Sequence, residues 1–341
     1  MLLTKKSDST ARAGSPFVHR LQRGLAQAIP TMDRRAFLRR SGLGVGVGLA
    51  ATMLGMAGYE ASLLYAKNRP QGRPVAGGTQ KVVKDAAQAQ VRIIEHADIK
   101  RMLLAQKSYC EGALALELYC AKLVDEQHTG SAESADEARL LLEVLTPIAK
   151  SWPSEWCLEA NSLAIQIHGG YGYTRDFPVE QYWRDNRLNM IHEGTHGIQG
   201  MDLLGRKVLM EEGAGLKLLA GRILATCDKA MCSSQWASES KALKEALNKV
   251  ITATQQAWST GQPQEALANA VPYLQAFGHL VLAWTWLDVV ASTPENQTTA
   301  HVGRQAASKF FFQYELPKID AWLLVVSSRD MTCANLPEEA F

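Results

Sequence analysis

The residues best suited to chemistry lie in one stretch, Gln166 to Gly200, which reads QIHGGYGYTRDFPVEQYWRDNRLNMIHEGTHGIQG. Within it, Glu193 stands between His192 and Gly194. A carboxylate beside glycine has unusual freedom to point into a cavity, where it can accept a proton from a substrate. The same residue also fits an ordinary acidic charge at the start of a helix, where it complements the helix dipole. Residue chemistry alone leaves both interpretations open.

The same stretch contains three closely spaced glycines at Gly169, Gly170 and Gly172. Each glycine costs a helix about 1 kcal/mol relative to alanine. This interruption therefore predicts a tight turn or a close approach of the backbone to a ligand. The pattern is not G-x-G-x-x-G and no strand precedes it, so a dinucleotide-binding fold is not supported.

The elements around this stretch are predicted to be helices. Apolar residues recur at helical spacing from Ala57 to Lys67 and again in the segment IIEHADIKRMLLAQKSYCEGALALELYCAKLVDEQ. The break TGSAESADE follows, with Ser134 as a candidate N-cap for one or two further helices that reach Gln166. Helical sequence resumes at Gln199 and, after about Ala214, continues to the carboxy terminus without a strand-rich block. We therefore predict an all-α fold.

Composition narrows the function classes. The net charge is +2, which argues against a general nucleic-acid-binding role. The basic excess is concentrated between Lys5 and Arg40, and the rest of the chain is slightly acidic. The six cysteines form no CxxC pair and no metal-ligand spacing, so we predict free thiols, no disulfide framework and no metal site.

The amino-terminal segment has features of an export signal. Arg34 and Arg35 are followed by Ala-Phe-Leu and by a glycine- and alanine-rich apolar run from Gly42 to Gly58, which is typical of a twin-arginine signal. The alternative is a basic-ended amphipathic helix or the first turn of a buried one. We expect residues 1–53 to be a leader, which implies a periplasmic location if the signal is functional.

The chain resembles the flavin-dependent acyl-CoA dehydrogenases in their carboxy-terminal helical domain. The segments QIHGGYGYTRDFPVEQYWRDNRLNMIHEGTHGIQGMDLLGRK and SLLYAKNRPQGRP carry this resemblance. Two later segments, YLQAFGHLVLAWTWL and KFFFQYELPKIDAWLL, resemble the extra helical tail of the subgroup that includes methylmercaptopropionyl-CoA dehydrogenase. The resemblance covers roughly Leu54 to Phe341 and implies a helical bundle over residues 54–212, followed by a second helical domain over 213–341.

The resemblance also implies an activity. In that family, the glutamate of the E-G-T motif removes the α-proton of an acyl-CoA thioester. The β-hydrogen leaves as hydride to flavin N5, and the product is a 2-enoyl-CoA. Glu193 matches that base. A carboxylate taken out of water is a stronger base, and donors that polarise the thioester oxygen make the α-proton more acidic.

The implied cofactor is FAD. By resemblance, Thr195 contacts FAD and Arg69 lies beside its pyrophosphate, whereas Gln166, Gly169 and Gly170 reach the FAD of a neighbouring subunit. Arg206 falls where some members contact acyl-CoA. The resemblance therefore implies an acyl-CoA substrate, a homo-oligomer and an electron-transfer partner, in the cytoplasm as is usual for the family.

One expected difference from the family leaves three hypotheses for the function of this chain. We expect the amino-terminal helical domain and the β-barrel domain of the family to be absent from this chain. The first hypothesis is a catalytically active acyl-CoA dehydrogenase. The second is a truncated or fused, non-catalytic helical protein that associates with a complete homologue. The third is an exported helical binding protein.

Overall fold

The structure is a computed structural model that describes residues 42–73, 89–293 and 298–341. Over these ranges the chain is helical, with one isolated antiparallel bridge between Pro70 and Arg92, and the all-α prediction is confirmed. The first helices are α1 (Gly42–Asn68), α2 (Ala97–Thr129), α3 (Ala132–His168), α4 (Val179–Arg187) and α5 (His196–Asp202). They are followed by α6 (Met210–Met231), α7 (Ala237–Ala257), α8 (Pro263–Leu267), α9 (Ala270–Ser292), α10 (Thr299–Phe310), α11 (Ile319–Ser328) and α12 (Thr332–Asn335).

Helix α1 packs closely against its neighbours because of its glycines. A Cβ placed on Gly55 would lie 2.8 Å from the Cβ of Cys157, and one on Gly58 would lie 2.4 Å from the side-chain nitrogen of Asn161. Both partners belong to α3, so glycine at these two positions allows the two helix axes to approach closely. The Asn161 amide also donates to the carbonyl of Leu54 at 2.9 Å.

Helix α1 also begins upstream of the predicted end of the leader at residue 53. Val47 and Ala51 are buried in the bundle, so part of the apolar run assigned to an export signal belongs to this helix. Arg34 and Arg35 lie outside the described residues. The twin-arginine signal therefore stays a prediction, as do the domain boundaries.

Helices α2 and α3 form a long antiparallel hairpin. Ser131 is the N-cap of α3, and its hydroxyl accepts from the backbone N–H of Ser134 at 3.2 Å. The prediction of Ser134 as the cap was wrong by one turn, because both serines lie in a run of small polar residues. The helix continues through Pro153. A proline leaves the carbonyl four residues earlier, here that of Ala149, without a helical donor. That carbonyl faces Gly48 of α1, where an added Cβ would lie 2.1 Å away.

Helix α9 is the core of the second half of the chain. Its indole groups reach into the first half, since Trp286 Nε1 donates to the carbonyl of Ser108 at 3.1 Å. In the opposite direction, Trp152 Nε1 of α3 donates to His279 Nδ1 of α9, also at 3.1 Å. These bonds satisfy buried polar groups across the contact between the two halves.

Two described helices have the length and hydropathy of a membrane span, Gly46–Asn68 and Ala270–Ser292. In the second, 78% of the most apolar window is buried inside the bundle, as expected for a core helix. The first is 44% buried and lies near the amino terminus. Length and composition alone are weak evidence for a membrane location.

The two halves are joined by an unusual backbone segment. Glu211, Glu212 and Gly213, at the start of α6, all have left-handed φ values, of 49°, 55° and 77°. Only glycine adopts this conformation without steric cost. The Arg139 guanidinium pairs with the Glu211 carboxylate at 2.9 Å and holds the segment against α3.

Candidate functional site

The glycine-rich segment forms a turn at the carboxy terminus of α3. Gly169 ends the helix with a φ of 59°, and residues Gly169–Tyr173 form a short 3-10 turn. Aromatic rings hold this turn against α1. Tyr65 stacks on His168 with ring centroids 4.3 Å apart, and Phe177 packs edge-on against Tyr65 at 5.4 Å.

The three glycines of this turn have different structural roles. A Cβ added to Gly172 would lie 2.6 Å from the carbonyl oxygen of Ile165, so the packing of the chain itself requires glycine there. A Cβ added to Gly169 or Gly170 would meet no atom within 4 Å. Gly169 is still explained by its positive φ, but Gly170 is explained by neither conformation nor packing. The space beside Gly170 is open to a group from outside the chain.

Three other candidate residues gather beside this turn. The Arg69 guanidinium lies 5.5 Å from the ring centroid of Tyr171, and its Nε is buried without a hydrogen-bond partner. Gln166 is exposed, and its backbone carbonyl accepts from the N–H of Gly169. The structure thus brings Arg69, Gln166, Gly169 and Gly170 to one place. An unpaired guanidinium nitrogen next to an open backbone suits an anionic group such as a pyrophosphate.

Glu193 lies in a separate turn between the 3-10 turn Leu188–Met190 and α5. It precedes α5 by three residues, so the expectation that it starts a helix was wrong. Its φ is 57° and that of Gly194 is 95°, which places two consecutive residues in left-handed conformations. The Glu193 side chain is 38% exposed, and its carboxylate lies 3.6 Å from Nε2 of His192. A strained, exposed carboxylate of this kind is typical of a functional position.

Buried polar groups lie beneath the Glu193 turn. Lys150 of α3 is fully buried, and its ammonium donates to the carbonyls of Met190, at 3.5 Å, and Gly194. Burial lowers the pKa of Lys150, and the negative charge of Glu193 opposes that shift. Sequence analysis missed this residue because a single lysine in a helical segment reads as a surface charge.

His196, the first residue of α5, is the second group beneath the turn. Both of its ring nitrogens are buried without a hydrogen-bond partner. Burial, together with the positive charges of Lys150 and Arg187, lowers its pKa to about 4. Glu155 Oε2 lies 3.9 Å from Nε2, beyond hydrogen-bond distance, and burial raises the pKa of that carboxyl. His196 is therefore neutral at pH 7.

The two remaining candidates are exposed. Thr195 is the N-cap of α5, but its hydroxyl makes no capping hydrogen bond, so it is available to a ligand. Arg206 lies in the π-helical turn Leu203–Lys207, and its Nε donates to Asp202 at 2.7 Å. Within the described ranges, no hydrogen bond or ion pair joins Glu193 or Thr195 to the group around Arg69. Glu193 and Thr195 lie in one turn of the chain, and Gly169 and Gly170 lie in another.

The described residues include no cluster of His, Cys, Asp and Glu side chains that could hold a metal ion. All six cysteines are free, and four of them are buried. A cleft of about 720 Å³ lies between α2, α3 and the helices of the second half. Its aromatic walls include Tyr109, Trp156 and Trp183, but Glu193 does not line it. Met190 and Glu155, which lie beside the Glu193 turn, also line the cleft, so the cleft adjoins that turn.

Comparison with known proteins identifies the class. Residues 73–209 match the family described as acyl-CoA dehydrogenase, C-terminal domain, and residues 219–337 match the family described as acetyl-CoA dehydrogenase C-terminal like. The chain belongs, through these carboxy-terminal domains, to the acyl-CoA dehydrogenase family. The two matches meet around the left-handed segment at residues 211–213.

Two curated relatives illustrate the similarity. The chain is 35% identical over 259 residues to 3-methylmercaptopropionyl-CoA dehydrogenase from Ruegeria pomeroyi, covering 74% of this chain and 42% of the relative. It is 28% identical over 345 residues to a broad-specificity linear acyl-CoA dehydrogenase from Mycobacterium tuberculosis, covering 95% of this chain and 54% of the relative. The chain thus spans about half the length of the curated relatives it matches.

Solved structures agree on the fold. Caenorhabditis elegans ACDH-11, in complex with C11-CoA, superposes with a TM-score of 0.66 at 17% identity over 86% of this chain and 46% of that one. An acyl-CoA dehydrogenase from Bacillus anthracis, complexed with FAD, gives a TM-score of 0.65 at 17% identity over 87% of this chain and 49% of that one. At this identity, the superpositions establish the fold alone.

Proposed function

We propose that this chain supplies the carboxy-terminal half of the active site of an FAD-dependent acyl-CoA dehydrogenase, which converts an acyl-CoA thioester to a 2-enoyl-CoA. The observation that carries the proposal is the Glu193 turn. Two consecutive left-handed residues hold a carboxylate at the surface of a family-type helical domain. Such backbone strain persists only where the surrounding structure enforces it.

In the proposed reaction, Glu193 accepts the α-proton of the substrate. Its carboxylate is 38% exposed in the chain alone, and covering by cofactor, substrate or partner would remove water and strengthen it as a base. The Glu193 backbone N–H would help to polarise the thioester oxygen. Bound FAD would supply the acceptor for the β-hydride. Arg206, whose guanidinium is exposed beside Asp202, would bind the acyl-CoA.

The residues present fit the cofactor. We propose that Arg69 binds the flavin pyrophosphate, since its Nε is buried and unpaired. Gln166, Gly169 and Gly170 would bind another part of the FAD, supported by the open space beside Gly170. Thr195, with its free hydroxyl, would contact FAD near the base.

We propose an oligomeric site, as the resemblance to the family implies. We propose that Gln166, Gly169 and Gly170 serve the FAD of a neighbouring subunit, while Glu193 and Thr195 serve their own. The neighbour would be a second copy of this chain or a complete homologue. An electron-transfer partner would reoxidise the flavin, and one relative is named as a subunit of a caffeyl-CoA reductase-Etf complex. The alternative function, a non-catalytic helical protein, remains the second outcome of the tests below.

The first test concerns the base. Glu193→Gln keeps the side-chain volume but cannot accept the proton, so we expect dehydrogenase turnover to fall by about 10²- to 10⁴-fold. Acyl-CoA affinity and FAD content should change little, because the base acts mainly in the transition state. The assay is reduction of an artificial electron acceptor by the chain, alone or mixed with a complete homologue. Wild-type turnover in the variant would remove Glu193 as the base.

The second test concerns the cofactor. A Cβ at Gly170 meets no atom within 4 Å, so Gly170→Leu should fill the open space beside the turn and lower flavin retention while thermal stability is maintained. Gly221→Leu is the matched control, since a Cβ there also meets no atom within 4 Å and lies away from the site. Flavin absorbance of the purified proteins is the measurement. Equal flavin content in both variants would contradict the cofactor assignment. Wild-type protein without flavin, alone or with a homologue, would favour the non-catalytic function.

A further inference from the structure

A buried lysine lies directly under the turn that carries Glu193. Lys150 is among the largest fully buried side chains of the chain, at 0% exposure. Its ammonium contacts the carbonyls of Met190 and Gly194, one before and one after Glu193. The ammonium nitrogen and the two carbonyl oxygens thus connect the middle of α3 to both ends of the turn.

The groups that compensate the buried charge of Lys150 indicate what this residue does. A buried ammonium is costly unless hydrogen bonds or an opposite charge compensate it. Among the described residues, no carboxylate lies within ion-pair distance of Lys150, so backbone carbonyls of the turn are its direct partners, and the negative charge of Glu193 acts from farther away. Charge-assisted hydrogen bonds are about twice as strong as neutral ones. The bonds therefore hold the backbone of the turn, where an ordinary buried ion pair would hold another side chain.

We infer that Lys150 is a positioning residue, which fixes the Glu193 turn in its left-handed conformation through hydrogen bonds to the carbonyls of Met190 and Gly194. The strain at Glu193 requires such support from outside the turn. A catalytic side chain has to be held within about 0.5 Å of its productive position. The inference about the turn stands on the structure, and its catalytic consequence rests on the proposed function.

The test compares two buried lysines. Lys150→Met keeps the length and apolar stem of the side chain and removes the ammonium. Lys207→Met is the matched control, because Lys207 is only 9% exposed but pairs with the side chain of Glu143. Hydrogen exchange is followed at the amides of Ile191 and His192, which both donate to the Leu188 carbonyl at 3.0 Å.

We expect exchange at these two amides to accelerate at least about tenfold in Lys150→Met and to stay unchanged in Lys207→Met. Both variants should lose global stability, so a general loss cannot explain the difference. Equal exchange at Ile191 and His192 in wild type and Lys150→Met would overturn the inference. This readout requires neither flavin nor activity, so it is independent of the proposed function.

A second measurement applies if Lys150→Met does not fold. In ¹⁵N-lysine-labelled protein, an ammonium held by two carbonyls should give a slowly exchanging signal that persists in Lys207→Met. Its absence would overturn the inference. Where dehydrogenase activity is present, Lys150→Met should lower kcat more than it changes KM, whereas Lys207→Met should alter neither. If exchange is faster in Lys150→Met but the wild type has no dehydrogenase activity, the positioning role of Lys150 is retained and the proposed function is rejected.

Discussion

Substitution of His196 tests the buried polar groups under the Glu193 turn. Burial and the positive charges of Lys150 and Arg187 hold the pKa of His196 at about 4, against an ordinary value of 6.5. Between these values, the unfolded chain binds a proton that the native protein does not, so native stability rises with pH. The stability is fully present above pH 6.5 and is lost as the pH falls toward 4.

The size of this change in stability follows from the pKa shift of His196. Each pKa unit corresponds to about 1.4 kcal/mol, so protonation of the unfolded chain withdraws about 3 kcal/mol as the pH falls from 7 to 4. His196→Gln removes the titrating ring and should reduce the fall in stability over that range by about this amount. Burial raises the pKa of the facing carboxyl of Glu155, which gives the opposite pH dependence in both proteins. Because Glu155 lies 3.9 Å from His196, Glu155→Gln and the double variant are measured as well, and the double-mutant cycle isolates the contribution of His196.

The assay is urea unfolding followed by circular dichroism at several pH values between 4 and 8. The matched control is His128→Gln, at an exposed position near the end of α2. The free energy of unfolding should fall less steeply with acid in His196→Gln than in wild type or the control. Parallel curves for all three proteins would refute the account of His196 as a buried, neutral histidine.

Three further substitutions have defined outcomes. Gly48→Ala should lower the free energy of unfolding by about 2–3 kcal/mol in thermal denaturation, because its Cβ would lie 2.1 Å from both the Ala149 carbonyl and the Glu117 carboxyl. Glu212→Gly should raise it by about 1 kcal/mol in the same assay, since its φ of 55° suits glycine. Burial raises the pKa of Glu117, so the unfolded chain alone ionises this carboxyl above pH 4.5 and native stability falls as the pH rises. Glu117→Gln should remove that fall, and urea midpoints at pH 5 and pH 8 would test it.

The sequence predictions were most accurate where local sequence patterns determine the structure. The helical spacing of apolar residues predicted an all-α chain, because that spacing directly sets which face of a helix is buried. The same rules missed the true start of α1, since a run rich in glycine and alanine is typical of both an export signal and a closely packed helix. The contacts of α1 with α3 show that the part of this run from Val47 onward belongs to the helical bundle, and the twin-arginine signal stays a prediction.

The candidate site was predictable in part for a similar reason. The glycines marked the turn after α3, and the open space beside Gly170 leaves room for a ligand there. Lys150 and His196 could not be found in this way, because their burial depends on α3 and α5 meeting beneath the turn. No local pattern in PIAKSWP distinguishes a buried lysine from a solvated one.

The left-handed segment at Glu211–Gly213 has a consequence for how the gene could be divided. The contact between the two halves is held by side chains far from this segment, as when Trp258 donates to the carbonyl of Leu204 at 3.1 Å and Arg222 pairs with Glu137 at 2.6 Å. The connecting peptide therefore contributes mainly a high effective concentration of one half for the other. Two polypeptides separated after Glu212 should assemble into the same bundle as a noncovalent heterodimer, with an affinity set by the buried tryptophans of α9.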